Sequence, residues 1–239
     1  MHALFMFLRT SQASNQRFQP ITQTMLAELG SHSHIDFVKP LNFMAFSDSD
    51  LAHLPNNLAV TIWYSRPPVL AAIWQTIRPS VEASSESWLV LMEPVKLTGN
   101  FTGFQPTAES APPLDNAAPM AVLIWGILTP AGRTPFYAVA PDAYEQARVH
   151  PAYLGGVFLT QTGVETGSFS CWRSKRDAAA YAFGPGAHHE VMTADRQQAW
   201  HDPATDFFAR FRILAAQGTL FGTNPLASVA PHLVPEAFE

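Results

Sequence analysis

Cysteine is nearly absent: Cys171 is the single one in 239 residues. One thiol cannot close an intramolecular disulfide or build a cysteine-based zinc site. The chain is therefore expected in a reducing, cytoplasmic setting. Charge is scarce as well. Only 14% of residues are Asp, Glu, Lys or Arg, and the formal net charge is −5. That balance speaks against general nucleic-acid binding, which favours a basic surface. Such sparse charge also implies large apolar faces, able to close a homo-oligomer or to line a pocket for an apolar ligand. Long apolar runs are missing: none approaches the ~18 residues of a membrane-crossing helix, so no membrane span is expected. Met1 to Leu8 has no basic start and no long apolar stretch, and does not read as a signal peptide. There is no Walker loop, dinucleotide fingerprint, nucleophile elbow or zincin motif.

What is present is apolar. Hydrophobic residues make up 47% and aromatics 12%, which excludes a disordered chain. Ala3 to Leu8 reads as a buried strand. Phe18, Ile21, Met25 and Leu29 fall on one helical face, and Gly30 is a natural stop. Ile35 to Phe46 and Leu58 to Tyr64 are extended, with a turn at Pro55-Asn56-Asn57. Pro67 and Pro68 open a helix through Trp74 and Ile77. Trp88 to Leu97 is a strand interrupted by Pro94. Phe104 to Pro119 is rich in Pro, Ala and Ser, as a linker is. Met120 to Leu128 opens a second half. A helix follows over Tyr137 to Arg148, then a hairpin of Val157 to Gln161 and Thr166 to Trp172. Helices over Lys175 to Phe183 and from Ala187 to about Trp200 are separated by Gly184-Pro185-Gly186. Phe207 to Leu214 and Gly218 to Phe221 follow.

Trp63-Tyr64-Ser65-Arg66 and Trp172-Arg173-Ser174-Lys175 repeat one pattern, tryptophan-x-serine-base, at the passage from strand to helix. Both serines suit helix N-caps, and both tryptophans suit the core. Each half also opens on an apolar strand. The chain is thus expected to be α+β, with two tandem ferredoxin-like units packed as a dimeric α/β-barrel-type fold. The expected division is an N-terminal unit at 1–105, a linker at 106–117, a C-terminal unit carrying the site at 118–222, and an irregular tail at 223–239.

Candidate chemistry starts with the histidines. Ser47-Asp48-Ser49-Asp50 lacks the glycine and distal glutamate of a calcium loop, and reads as turn and capping chemistry. His32 and His34 read as solvated, His2 and His232 lie near the ends, and His53, His150 and His201 sit beside loops. His188 and His189 open a helix. On it His188, Val191, Met192, Asp195 and Ala199 share one face, and His189, Met192 and Arg196 an adjoining one. A neutral imidazole on an apolar wall suits an axial haem ligand, and an arginine nearby suits a propionate. A plain reading of a helix-terminal histidine is an exposed or capping residue.

A resemblance bears on this choice. Phe169-Ser170-Cys171-Trp172, Phe183, His188-x-Glu190, Arg196, Trp200 and Ala209-Arg210-Phe211-Arg212-Ile213-Leu214 resemble the C-terminal half of the spheroidene monooxygenase family. Glu86-Ser87-Trp88-Leu89-Val90-Leu91 with Pro94 resembles a mid-chain segment of it. Lys39 to Ser47, without glycine, departs from that family's pattern. The resemblance implies a haem-dependent monooxygenase of an apolar, carotenoid-like substrate, supplied by an electron donor. It implies haem held by His188 (alternatively His189) as the metal ligand, with Arg196 at a propionate and Trp172 and Trp200 as walls. Two other readings stand beside it. One is a cofactor-free oxygenase of the same barrel class, in which a buried base activates the substrate. The other is a non-catalytic barrel that binds a small apolar molecule.

Overall fold

The computed structural model describes residues 1–11, 14–46, 51–53, 57–65, 69–106 and 112–233. The Ser47-Asp48-Ser49-Asp50 segment, Pro55-Asn56 of the expected turn and the Pro67-Pro68 helix start lie outside these residues. By contact the chain forms two compact units. Unit 1 comprises Met1–Phe43, His53–Pro94 and Ile213–Glu239; unit 2 comprises Met44–Ala52 and Val95–Arg212.

Unit 1 is built on β1 (His2–Arg9), whose six residues from Ala3 to Leu8 are all buried. A strand buried on both faces belongs in the middle of a sheet. β1 accordingly pairs antiparallel with β4 (Asn57–Tyr64) on one side and with β5 (Glu86–Gly99) on the other. β2 (Phe37–Phe46) joins the outer side of β4, and β3 (Leu51–His53) flanks β2. Helices α1 (Asn15–Ser31) and α2 (Val69–Ala83) cover one face. The buried residues Leu70, Ile73, Trp74 and Ile77 of α2 repeat at three- and four-residue spacing. With Phe18, Met25 and Leu29 of α1 they fill the space over Leu4, Met6 and Leu8. The last segment packs here too: Leu233 is buried in this cluster, and Ala216 bridges His232.

Unit 2 is built on β6 (Met120–Ile127). β6 pairs antiparallel with β8 (Glu165–Trp172) and with β9 (Phe207–Gly218). β7 (Tyr153–Gln161) forms the expected hairpin with β8. Helix α3 (Arg133–Arg148) precedes β7, and α4 (Lys175–Phe183) and α5 (Ala187–Gln198) follow β8. Ser174 caps α4 by accepting the Asp177 main-chain N–H at 3.1 Å. Its counterpart Ser65 instead donates to Asp36 at 2.5 Å.

The expected arrangement of two ferredoxin-like units packed as a dimeric α/β-barrel-type fold is corrected here. The strands form one hydrogen-bonded sheet, in the order β3-β2-β4-β1-β5-β9-β6-β8-β7, with a further β2–β7 pairing. The physical reason lies in two long strands. β5 runs 14 residues straight through Pro94, and β9 runs 12. The sequence invites a break at Pro94 and another before Gly218, and neither break occurs.

Candidate functional site

Three elements of unit 2 leave a cavity of ≈ 700 Å³ over the sheet. α3 turns Phe136, Ala140, Ala143 and Ala147 inward, so three of its four buried positions are methyl groups. α4 and α5 bury no residue fully. Apolar and hydroxyl side chains from β6 and β8 floor the cavity, and Tyr144, Tyr153 and Tyr181 line it, the Tyr181 hydroxyl donating to the Ala143 carbonyl at 2.8 Å. Tyr153 and Tyr181 both ionise well above the ordinary tyrosine range because burial disfavours the phenolate. Both stay neutral at physiological pH.

His188 lines this cavity, whereas its neighbour His189 is exposed. The direction follows from the helix start. Gly186 has a φ of 143°, and a Cβ there would collide with the Gln146 amide. Gln146 Oε1 then accepts the His188 main-chain N–H at 3.0 Å. The His188 ring lies against Tyr181 at 4.6 Å, with Nδ1 3.3 Å from the Ala182 carbonyl. That carbonyl takes the Nδ1 proton and leaves Nε2 as the lone-pair nitrogen. Burial pushes the imidazole pKa below its usual value, against the opposing pull of the Ala182 carbonyl. Arg196 and Trp172 also line the cavity. Trp200 packs instead among Leu128, Phe136, Ala140 and Phe158.

A second histidine, set aside in the sequence as a loop residue, is the more constrained one. His201 lies three residues past the end of α5 and bridges Leu128, the residue after β6. Its Nδ1 lies 3.0 Å from Asp195 Oδ2, and its main-chain N–H donates to Asp195 Oδ1 at 2.9 Å. Its Nε2 lies 3.2 Å from Thr166 Oγ1. The carboxylate fixes the proton on Nδ1, so Nε2 accepts from the Thr166 hydroxyl. Phe136 meets the ring edge-to-face at 5.0 Å. Gly126 packs close beside it: a Cβ there would stand 3.0 Å from both His201 Cδ2 and Asp206 Oδ1, so these side chains would have to give way. Burial raises the Asp206 pKa, with Asp195 and Asp202 adding to it and His201 opposing it. Thr166, Asp195, His201 and Asp206 all line the cavity. No local spacing announces this set, because its members come from a strand, a helix end and a loop. The faint signal is Asp195 in the last turn of α5 with His201 three residues past the helix end.

Cys171 is fully buried, and burial drives its thiol pKa far up, as the strand alternation around it implies. No helix among the described residues is long and apolar enough to cross a membrane. Among those residues no group of three or more His, Cys, Asp or Glu side chains is placed to hold a metal ion.

No family model matches the chain. The spheroidene monooxygenase of Rhodobacter capsulatus is 24% identical over 149 residues, 61% of this chain. The match covers 60% of that protein, so the chain spans about three fifths of its relative's length. An aldoxime dehydratase structure aligns over 89% of this chain and 80% of its own, with a TM-score of 0.59 and 9% identity. A second, in complex with butyraldoxime, has a TM-score of 0.54 at 9% identity over 89% and 78% of the two chains. These two show a shared fold and nothing about activity. A candidate monooxygenase from Fusobacterium nucleatum covers 91% of this chain and 94% of its own, but its TM-score of 0.40 at 9% identity carries no argument. The comparisons correct the resemblance: they support a distant monooxygenase likeness, not membership of the spheroidene monooxygenase family.

Proposed function

We propose that unit 2 binds an apolar small molecule in its cavity and that the Asp195–His201–Thr166 relay takes a proton from it to start an oxygenation. The observation that carries this reading is a hydrogen-bonded base on the wall of a mostly apolar cavity. Oxygenation is the chemistry named for the Rhodobacter capsulatus relative. The proton passes from an acidic methylene of the substrate to Thr166 Oγ1 as Thr166 gives its own to His201 Nε2. Asp195 stabilises the imidazolium that forms. The substrate carbanion then supplies electrons to dioxygen, and its methylene becomes a carbonyl while the second oxygen atom leaves as water. The substrate is thus its own reductant. The apolar walls keep bulk water from the carbanion.

The test is oxygen uptake with anthrone, whose methylene is flanked by two aryl rings, corrected for the protein-free rate. H201N and D195N should each lower the rate by about a hundredfold or more, the usual loss when a positioned base is removed. Undiminished uptake in H201N would end the proposal.

One observation favours a second reading, in which haem is the cofactor. His188 sits on the cavity wall with Nδ1 engaged and Nε2 carrying a lone pair, which is how a protein presents an imidazole to a metal. His188 would hold the haem and Arg196 would pair a propionate, and the haem would supply redox chemistry with oxygen. Titration with haem should then give a Soret band that H188A loses and H189A keeps. A band equally strong in H188A would remove His188 as the ligand.

A further inference from the structure

We infer that Arg210 is an anion-recognition residue, and that the ligand of the cavity is a fused-ring aromatic molecule carrying a carboxylate. This rests on the cavity being the ligand site, as proposed above. Arg210 lies in β9 opposite Val122, and both line the cavity. Its Nε is buried without a hydrogen-bond partner. Its guanidinium stands over the Phe208 ring at 5.6 Å, and Lys96 approaches the same ring at 5.9 Å. Two cations thus flank one aromatic ring. Burial lowers the Arg210 pKa, with no acidic side chain acting against it.

A guanidinium with a desolvated, unpaired donor is costly unless an anion completes it. Arginine matches a carboxylate with two parallel donors, and the flat Phe208 ring below favours a flat ligand. The geometry also gives a length. Gly126, beside His201, is four residues along β6 from Val122, or ~13 Å at the usual strand rise. A fused-ring carboxylate with its acid at Arg210 lies along that interval, its rings directed toward the Thr166–His201 relay. Arg196 lines the cavity from α5 but is exposed, so water already solvates it.

The test compares 2-naphthoate with 2-naphthamide, a pair of like shape that differ in charge, by isothermal titration of the full chain. The native protein should bind naphthoate tighter by about tenfold to a hundredfold, the range for a charge-assisted hydrogen bond. R210Q should lose that preference while keeping its affinity for naphthamide, and R196Q should keep the preference. Equal binding of both probes by the native protein overturns the assignment to an anion and leaves the cavity as a ligand site. A preference lost in R196Q but kept in R210Q overturns the choice of arginine. Binding of neither probe overturns this inference and the cavity reading together, whereas uptake of oxygen insensitive to H201N overturns the relay alone.

Discussion

The two units put helices over a sheet and do opposite things with the space between. In unit 1 the helix residues facing the sheet are Phe18, Met25, Leu29, Leu70, Ile73, Trp74 and Ile77, and they fill it. In unit 2 the corresponding face of α3 is Phe136, Ala140, Ala143 and Ala147, and a cavity of ≈ 700 Å³ remains. Both helices keep the same periodicity, so pattern alone does not separate a packed face from a ligand wall. Side-chain volume does. Close packing stabilises unit 1, while unit 2 forgoes part of that gain where a ligand can supply it.

The comparison can be broken from either side. The largest effect should come from A143F, which puts a ring into the cavity. Naphthoate binding should fall beyond detection in titration calorimetry while the far-ultraviolet circular dichroism stays native; unchanged affinity would show that the cavity is not the site. In unit 1 the matching change runs the other way. I73A removes a fully buried side chain and should cost about 2–5 kcal/mol in urea unfolding, the range for cavity-forming core truncations. It should leave naphthoate affinity untouched, and a loss below about 1 kcal/mol would mean that this face is loosely packed.

How far the sequence foretold this contrast depends on the residue. α4 is legible to the residue, Lys175–Phe183, because its start is a serine cap and its end a glycine, both local chemistry. The buried thiol of Cys171 is legible because strand alternation is local too. The single sheet is not, since Pro94 reads as a break and nothing nearby reveals that β5 continues through it. For the site, the His188 helix and its inward face are legible from helical spacing. The His201 relay is not: Asp195 precedes His201 by six positions across a helix end, and Thr166 lies 35 positions away on a strand. Arg210 is marked only as a member of the Ala209-Arg210-Phe211-Arg212 segment, whose resemblance gives it no role.

A smaller effect concerns pH. The folded-state pKa of His188 is lowered by burial. Below an unfolded value near about 6.5 the unfolded chain therefore binds more protons at this residue than the folded one. The sign follows: stability is full above that value and falls as pH drops through the window beneath it. Replacing His188 by Gln should flatten the slope of unfolding free energy between neutral and mildly acid pH relative to the native chain. Equal slopes would show that His188 is not desolvated. The smallest effect is at Cys171, where a thiol reagent should label the native protein hardly at all and label it fully in denaturant; fast native labelling would contradict its burial.

The central claim is that the alanine-faced cavity of unit 2 is where this protein takes its ligand. A crystal structure of the protein soaked in 2-naphthoate tests it most directly. The fused rings are expected between α3 and the β6–β8 face, with the carboxylate on Arg210 and the far ring directed toward Thr166 and His201. Naphthoate found only outside that cavity, with the alanine face of α3 collapsed onto the sheet, would contradict it.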